Sequence, residues 1–239
     1  MPDLSASLAA AGVLLPPDIL DALNQYHALL LDWNTRMDLT SVSEADMAQR
    51  HFVDSLLPLA RTDLLPDSLS LIDVGTGAGF PGLALAIARP QWRVTLLEAQ
   101  GKRCQFLRAV LERLGLKNTT VIQERAEVLG RDPLHRERYD RAVARAVAPL
   151  NVLCEYLLPF VGEGGYALCW KGPAVTEEWA DGEAAAALLG GELEPAVTMA
   201  FEGAAHVICP IRKMRATLPQ YPRKNGIPAK RPLKNDKKG

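Results

Sequence analysis

The sequence predicts a mixed α/β fold with a mostly parallel sheet and a helical cap at its N-terminus. Three observations support this fold class: apolar residues recur at helical spacing before Leu69, strand-length apolar runs alternate with helical patterns after it, and the first of those runs leads into a glycine-rich turn. The chain of 239 residues, 48% hydrophobic and 23% charged, is long enough for one large domain or for a domain with a small appendage. This composition excludes disordered and fibrous proteins.

The N-terminal quarter shows only helical patterns. Apolar side chains recur three and four residues apart from Leu20 onward, which is typical of an amphipathic helix. A second helix is predicted over Ser43–Leu59, because Ser43 and the acids after it resemble a capping start. Since no strand pattern occurs before Leu69, we predict that residues 1–66 form a helical cap.

From Leu69 onward, five strand-length runs alternate with helical stretches, as in stacked βαβ units. Two further runs have no helix between them and are predicted to pair as an antiparallel hairpin at the sheet edge. This gives a seven-stranded sheet in a domain of residues 67–212, followed by a basic tail of residues 213–239. The predicted strands are Leu69–Val74, Arg93–Leu97, Thr119–Gln123, Arg141–Ala146, Tyr166–Lys171, Ala196–Phe201 and His206–Ile211, and the predicted helices are Gly82–Ala88, Lys102–Leu114, Leu150–Phe160 and Glu177–Leu189.

Targeting, membrane and metal signals are missing from the sequence pattern. No Lys or Arg precedes Arg36, and no apolar stretch approaches the roughly 18 residues that cross a membrane. The cysteines do not have the spacing of zinc ligands. We therefore expect a cytoplasmic protein with no membrane association, no metal and reduced, buried cysteines. These are Cys104, Cys154, Cys169 and Cys209.

Charge is distributed unevenly along the chain. Of its 27 basic and 28 acidic residues, ten basic residues and one acid lie between Arg212 and Gly239, which leaves 17 basic and 27 acidic residues before them. A basic tail on an acidic body suggests a polyanionic partner. A solvated terminus without a ligand would show the same charge pattern.

The strongest local signal is the glycine-rich turn after the first predicted strand. A strand that leads into such a turn and then into a helix allows the backbone to approach a ligand closely. An ordinary β–α turn needs one or two glycines, so we predict a loop that binds a nucleotide-type cofactor. The four glycines are Gly75, Gly77, Gly79 and Gly82.

The glycine spacing leaves two kinds of cofactor open. Residues 77–82 match G-x-G-x-x-G, the dinucleotide fingerprint, which keeps a nicotinamide-dependent oxidoreductase as an alternative. However, Gly75 and Thr76 separate this match from the strand, and Pro81 lacks the N–H that a phosphate-binding loop would use. The spacing from Gly75 therefore favours a cofactor without a pyrophosphate.

Polar residues also follow the next three predicted strands. Glu98, which comes 23 residues after Gly75, is placed to accept hydrogen bonds from both ribose hydroxyls. The simpler alternative is that Glu98 is only a solvated acid at a strand end. Ala126 and Glu127 could hold an adenine edge, although an acid in the first turn of a helix is also favourable by itself. Arg145 lies inside the apolar run 142–147, where a charge without a partner is costly, so it is a site residue or a member of a buried ion pair.

These segments resemble the RsmG family, also called glucose-inhibited division protein B. Residues 74–82 are similar to the family's glycine loop, and the resemblance covers about Tyr26 to Leu233. Asp38 and Glu98 depart from the pattern, because the family usually has Asn and commonly has Asp at these positions. The other matching segments are Trp33-Asn34, Leu39-Thr40, His51–Leu56, Gly101–Arg103, Phe106-Leu107, Arg125–Glu127, Arg145-Ala146, Lys171-Gly172, Tyr221–Lys224 and Gly226–Pro228.

The resemblance implies a Rossmann-like class I methyltransferase fold, S-adenosyl-L-methionine as cofactor, and methyl transfer to N7 of a guanine in 16S rRNA. It implies that Gly75 and Phe80 line the cofactor pocket and that Arg145 lies at the active site. The expected partner is small-subunit rRNA or an assembling 30S subunit, bound by a monomer. The whole predicted cofactor set is Gly75, Gly77, Gly79, Phe80, Glu98, Ala126, Glu127 and Arg145, and Arg145 is also the predicted catalytic residue.

Guanine N7 has an in-plane lone pair and no proton to lose, so its methylation needs no general base and depends on positioning. We accordingly predict that no histidine acts as a base, and that His51 is a packing or RNA-contact residue. A non-catalytic RNA-binding or assembly protein on a degenerate methyltransferase fold is the remaining alternative. The intact glycine loop, Glu98 and Arg145 argue against it.

The role of the basic tail also follows from its charge. We expect Arg223, Lys224, Lys230 and Arg231 to follow RNA phosphates, so that salt weakens binding. For Asp73, at the end of the first strand, contact with the ligand and capping of the following loop are equal alternatives.

Overall fold

The structure, a computed structural model, describes residues 4–145, 148–201 and 204–235. Its contacts divide the chain into two compact units. The first unit contains the described residues up to 69 together with residues 76–123, and the second contains residues 70–75 with the described residues from 124 onward. Both units combine helices with strands, and the predicted α/β fold class is confirmed.

The elements follow one another largely as predicted. The strands are β1 (Ser70–Val74), β2 (Arg93–Glu98), β3 (Thr119–Gln123), β4 (Tyr139–Arg145), β5 (Val161–Lys171), β6 (Gly191–Leu193), β7 (Val197–Phe201) and β8 (Ala204–Lys213). The helices are α1 (Leu4–Ala10), α2 (Pro17–Asn34), α3 (Glu44–Met47), α4 (Asp54–Leu56), α5 (Gly82–Ala88), α6 (Gly101–Leu114), α7 (Ala126–Leu129), α8 (Leu150–Leu157), α9 (Trp179–Leu188) and α10 (Ile227–Lys230). A π-helical stretch, Ala48–Val53, joins α3 to α4, and 3-10 turns occur at Leu57–Ala60, Leu158–Phe160 and Pro173–Glu178.

The predicted N-terminal helices are confirmed in the first unit. Helix α2 has Pro17 in its first turn, where a missing N–H costs nothing, and buries the stripe that the periodicity indicated. Ser43 caps α3 by accepting a hydrogen bond of 3.3 Å from the backbone N–H of Asp46. Helix α1 was missed because its seven residues show too short a pattern.

An aromatic cluster fills the core of the first unit. The ring of Tyr26 lies 5.3 Å from Phe52, 5.2 Å from Phe80 and 6.3 Å from Phe106, measured between centroids. All four side chains are buried, and aromatic rings bury large apolar areas. The N-terminal helices of this unit are thus packed directly against the glycine loop that carries Phe80.

Strands β2 and β3 of the first unit are parallel, with Glu98 opposite Gln123 at their carboxyl ends. In the second unit, β1 pairs with β4 and β4 with β5, both in parallel. Strand β8 is antiparallel to β5, and β6 and β7 both pair with β8 in antiparallel fashion. The predicted hairpin of β7 and β8 is therefore confirmed.

The structure corrects the strand count and the start of β5. It contains eight strands among the described residues, one more than the seven expected, because β6 has only three residues and no readable alternation. Strand β5 begins five residues before the predicted start, in a glycine-rich stretch that is typical of a loop. A Cβ atom at Gly165 would lie 2.6 Å from the carbonyl oxygen of Asp140, so glycine permits the close approach of β4.

The remaining sequence expectations concern cysteines, metals and membranes. All four cysteines are free and buried. Among the described residues, no group of three or more His, Cys, Asp and Glu side chains is arranged to hold a metal ion. In the same ranges, none of the helices has the length and apolar character that a membrane span requires.

Candidate active site

The glycine loop of the first unit lies against the carboxyl end of β2. The backbone N–H of Thr76 donates to the carbonyl of Leu97 at 3.2 Å. The N–H of Gly77 donates to Oε2 of Glu98 at 3.0 Å. Gly77 has φ of 61°, a left-handed conformation that glycine adopts without steric cost. Two residues that the sequence predicted for one site are thus in direct contact.

Glu98 is a buried carboxylate, 5% exposed, with backbone donors on both oxygens. Its Oε1 accepts a hydrogen bond of 2.8 Å from the N–H of Gln100, and Arg103 lies 3.9 Å from its Oε2. Each carboxylate oxygen can accept two hydrogen bonds, so an acceptor position remains on each after the two backbone bonds. The two free acceptor positions fit a group with two adjacent hydroxyl donors, such as the ribose of a nucleoside cofactor.

Tyr26 supports the glycine loop from α2. Its hydroxyl donates a hydrogen bond of 2.5 Å to the carbonyl of Ala78. A Cβ atom at Gly79 would lie 2.6 Å from that hydroxyl and 2.9 Å from Cβ of Leu83, and the φ of Gly79 is 102°. Both the space and the backbone conformation therefore require glycine at this position.

Phe80 and His51 join the loop to the π-helical stretch. Their rings stack with centroids 4.7 Å apart, and Phe80 is 4% exposed. Nε2 of His51 lies 2.7 Å from Oγ1 of Thr40. Of the two roles expected for His51, packing is the one that the structure displays. π-Helical stretches are rare and often occur at functional sites.

The second unit carries the other predicted residues. Gly75, with φ of 70°, is exposed, whereas Asp73 is fully buried in β1. Ala126 begins α7 and is half-buried, and Glu127 is 5% exposed. Oε1 of Glu127 accepts a hydrogen bond of 2.8 Å from the N–H of Gly226. No sequence pattern indicated this contact, which joins a predicted cofactor residue to the C-terminal part of the chain.

Arg145 ends β4, opposite Trp170 of β5, and is half-buried. Ala146, the last residue of the strand as predicted, lies outside the described residues. The carbonyl of Ala148 accepts a hydrogen bond of 3.2 Å from Nζ of Lys171.

An ion pair fixes the backbone at Ala148 and Leu150. Nζ of Lys171 lies 2.7 Å from Oε2 of Glu178, and that oxygen also accepts a hydrogen bond of 2.6 Å from the N–H of Leu150. The pair thus holds the carbonyl of Ala148 and the N–H of Leu150, the first residue of α8. Sequence reasoning did not assign a role to Glu178, although Lys171 was among the segments that resemble the family.

Arg223 is an anchor in the structure, which corrects the expectation that it follows RNA phosphates. Its guanidinium forms a bidentate pair with Glu155, with Nη2 at 2.6 Å from Oε2 and Nε at 3.0 Å from both oxygens. The side chain of Glu155 is 1% exposed, and a buried carboxylate without a partner would be costly. Burial, and then the carboxylates of Glu127 and Glu155, raise the pKa of the neighbouring Tyr156.

The fold is that of the class I methyltransferases that use S-adenosylmethionine. It resembles M. jannaschii TYW2 in complex with AdoMet, with a TM-score of 0.52 and 15% identity over 67% of this chain and 77% of that chain. It also resembles a mutant of the 16S rRNA (adenine(1408)-N(1))-methyltransferase from Catenulisporales acidiphilia, with a TM-score of 0.51 and 15% identity over 63% of this chain and 87% of that chain. At such identities the likeness concerns the fold alone.

Sequence comparison identifies the family. Residues 19–207 match the family described as rRNA small subunit methyltransferase G. Over 212 residues the chain is 44% identical to the ribosomal RNA small subunit methyltransferase G of Alkaliphilus metalliredigens (strain QYMF), covering 87% of this chain and 88% of the relative. The chain belongs to this family, which confirms the resemblance found in its motifs. It is an S-adenosylmethionine-dependent methyltransferase, and the oxidoreductase alternative is wrong.

Proposed function

We propose that this chain transfers the methyl group of S-adenosylmethionine to N7 of a guanine in 16S rRNA. Its family supports an rRNA acceptor, and its relative from Alkaliphilus metalliredigens bears the name of a ribosomal RNA small subunit methyltransferase. The observation that carries the proposal is the buried carboxylate of Glu98, which holds Gly77 of the glycine loop and keeps acceptor positions for ribose hydroxyls.

The cofactor residues are assigned in each unit separately. In the first unit, Glu98 accepts hydrogen bonds from the ribose hydroxyls. The glycine loop provides a backbone surface that a side chain would obstruct. In the second unit, Ala126 and Glu127 contact the adenosine. The proposed set is Gly77, Gly79, Phe80 and Glu98 in the first unit and Gly75, Ala126, Glu127 and Arg145 in the second.

Catalysis in this proposal consists of orientation and exclusion of water. When bound by these residues, the cofactor would supply a methyl group on a sulfonium, whose sulfur would leave as a neutral thioether when the methyl group is transferred. Because guanine N7 loses no proton, no residue is assigned as a base, and the chain holds the reacting atoms in line. Arg145 donates hydrogen bonds to the guanine or to a neighbouring phosphate. Lys171 and Glu178 position the backbone at Ala148 and Leu150.

The acceptor guanine has to be unstacked or in a loop. The deep, narrow major groove of an RNA duplex hides the N7 edge, whereas a splayed-out base exposes it. We therefore propose that the chain acts on rRNA, alone or in an assembling 30S subunit, where such a guanine is accessible. A ribosomal acceptor supports a cytoplasmic site of action. Since the proposed site residues all belong to one chain, we also propose that it acts as a monomer, which size-exclusion chromatography with light scattering would test.

The first experiment is methyl transfer from labelled S-adenosylmethionine to small-subunit rRNA and subunits from a strain that lacks this protein. The modified base is mapped by cleavage at N7-methylguanine. We expect one labelled guanine with wild-type protein, strongly reduced label with Glu98→Gln, and full label with Glu112→Gln, an exposed carboxylate of α6. Tight cofactor binding without transfer to rRNA or subunits, or label at another atom, would refute the proposal.

A further inference from the structure

The C-terminal segment, residues 217–235, is held against the second unit along its whole length. Near its start, Arg136 donates to the carbonyls of Thr217 and Tyr221 at 2.6 and 2.8 Å. Near its end, Nδ2 of Asn151 donates to the carbonyl of Leu233 at 2.6 Å. A basic terminus without such bonds would be free to move, but this one is bound at both ends.

Two buried carboxylates hold the middle of the segment by its backbone. Oε1 of Glu155 accepts a hydrogen bond of 2.7 Å from the N–H of Arg223, in addition to the bidentate side-chain pair. Oε1 of Glu127 accepts one of 2.8 Å from the N–H of Gly226, three residues further on. Both glutamates are at most 5% exposed, so water competes little for these bonds.

Four cations of the same segment point a charge into solvent. All are exposed, and within the described parts of the chain no hydrogen bond or ion pair engages their side chains. Arg223 is the one cation of the segment whose charge is neutralised by a carboxylate in those parts. The exposed cations are Lys224, Lys230, Arg231 and Lys234.

We propose that the C-terminal segment is a preformed surface that binds the phosphates of RNA through its four exposed cations, and that Glu155 and Glu127 position it. This inference rests on the proposed function, which supplies RNA as the acceptor. Cations on an anchored backbone keep their spacing before binding, so less conformational freedom is lost when RNA binds than with a mobile tail. Glu127 also ties this surface to α7, where the adenosine contacts are proposed.

The first test removes the four charges. RNA affinity is measured at 50 and 200 mM salt with small-subunit rRNA as the probe. Each phosphate contact changes Kd about threefold over this range. The ratio of Kd at 200 mM salt to Kd at 50 mM salt should therefore be about 100-fold larger for wild type than for the variant K224Q/K230Q/R231Q/K234Q. A matched control, R93Q/R108Q/R113Q/K117Q, removes four exposed cations of the first unit and should keep the wild-type dependence. Equal salt dependence in wild type and the C-terminal variant would overturn the proposal.

The second test keeps the four charges and removes an anchor. Glu155→Gln should weaken RNA binding about tenfold, leave its salt dependence unchanged and speed amide hydrogen exchange at Gly226. Asn151→Ala, which removes the bond to Leu233 without leaving a buried charge, provides the same test if Glu155→Gln does not fold. Unchanged or tighter RNA binding with faster exchange would show that anchoring plays no part and would overturn the positioning role.

The two proposals fail differently. If wild-type protein neither binds nor methylates rRNA, the proposed function is wrong. If wild-type protein methylates rRNA but the loss of the four C-terminal cations leaves RNA binding and its salt dependence unchanged, only the inference about the C-terminal segment is wrong.

Discussion

The hydroxyl of Tyr26 in α2 donates a hydrogen bond of 2.5 Å to the carbonyl of Ala78 in the glycine loop. The two residues are 52 positions apart, and both are buried. The loop that we assign to the cofactor is therefore supported by a helix that precedes it in the chain. The Tyr26 ring also packs on Phe80, so the same side chain fixes the loop by a polar and an apolar contact.

Tyr26→Phe should lower both stability and cofactor affinity. The variant keeps the ring but leaves the buried carbonyl of Ala78 without this donor, which costs about 1–3 kcal/mol. Denaturant unfolding measures the stability and calorimetry the S-adenosylmethionine affinity. Tyr166→Phe, which removes a hydroxyl bonded to Glu194, should leave cofactor affinity unchanged. Equal cofactor affinity in Tyr26→Phe and wild type would contradict a supporting role for the hydroxyl.

Gly79→Ala should destabilise the protein more than Gly115→Ala. Both glycines have positive φ, but only at Gly79 would a Cβ atom meet neighbours, at 2.6 Å from the Tyr26 hydroxyl oxygen. Backbone strain alone costs about 1 kcal/mol, and the clash adds to it. Combining Gly79→Ala with Tyr26→Phe removes one clashing atom, so the two effects on the free energy of unfolding should be less than additive. Strictly additive effects would mean that the clash with the Tyr26 hydroxyl does not contribute to the cost of Gly79→Ala.

Glu98→Gln should weaken S-adenosylmethionine binding by about 10- to 100-fold, because hydrogen bonds to a charged acceptor contribute about 1.5–3 kcal/mol. Glu98→Asp keeps the carboxylate and introduces the residue that is common in the family, so its effect should be smaller. Calorimetric titration of the two variants decides the point. If both variants bind as wild type does, the ribose role of Glu98 is refuted.

Breaking the Lys171–Glu178 pair should slow methyl transfer without changing cofactor affinity. The pair fixes the carbonyl of Ala148 and the N–H of Leu150, close after Arg145. Loss of this positioning should lower kcat at least about tenfold in Lys171→Gln and Glu178→Gln, since small misplacements of reacting groups are costly. The double variant should be no slower than either single one. Additive losses would argue that the residues act independently.

Lys213 should make stability depend on pH in the alkaline range. Burial lowers the pKa of Lys213 from 10.5 to about 8, against the opposing effect of Glu137. Between pH 8 and 10.5 the unfolded chain therefore holds the proton more often than the folded chain, so this residue's contribution to stability rises with pH there. Below pH 8 both states are protonated, and the contribution is constant.

The measurement compares the unfolding free energy of wild type with that of Lys213→Met. Their difference should rise in favour of wild type between pH 8 and 10.5, by up to about 1.4 kcal/mol per pH unit, and stay flat below pH 8. The exposed Lys230→Met should show no such window. A flat difference across the alkaline range would mean that the folded pKa is not lowered.

Local patterns in the sequence were enough for most of the fold. Helix α5 and strand β3 have the predicted bounds, because alternation and helical spacing report which faces are buried. The glycine loop and Glu98 were also visible in local patterns: the four glycines of the loop lie within eight residues, and Glu98 directly follows the apolar run of the second predicted strand. Short elements such as α1 and β6 were missed because so few residues do not show a helical or strand period.

Only the tertiary structure shows which side chains support the glycine loop and which anchor the C-terminal segment. Glu155 and Arg223 are 68 residues apart, and nothing near either one distinguishes an anchor from a phosphate-binding cation. In the sequence, Tyr26 is an apolar member of a helical stripe, and its hydroxyl finds Ala78 only when the chain has folded. The sequence by itself thus determined the family, the fold class and the position of the glycine loop, because these depend on short-range patterns. The contacts that fix the loop and the C-terminal segment depend on burial and on pairs of residues distant in the chain, which only the folded structure brings together.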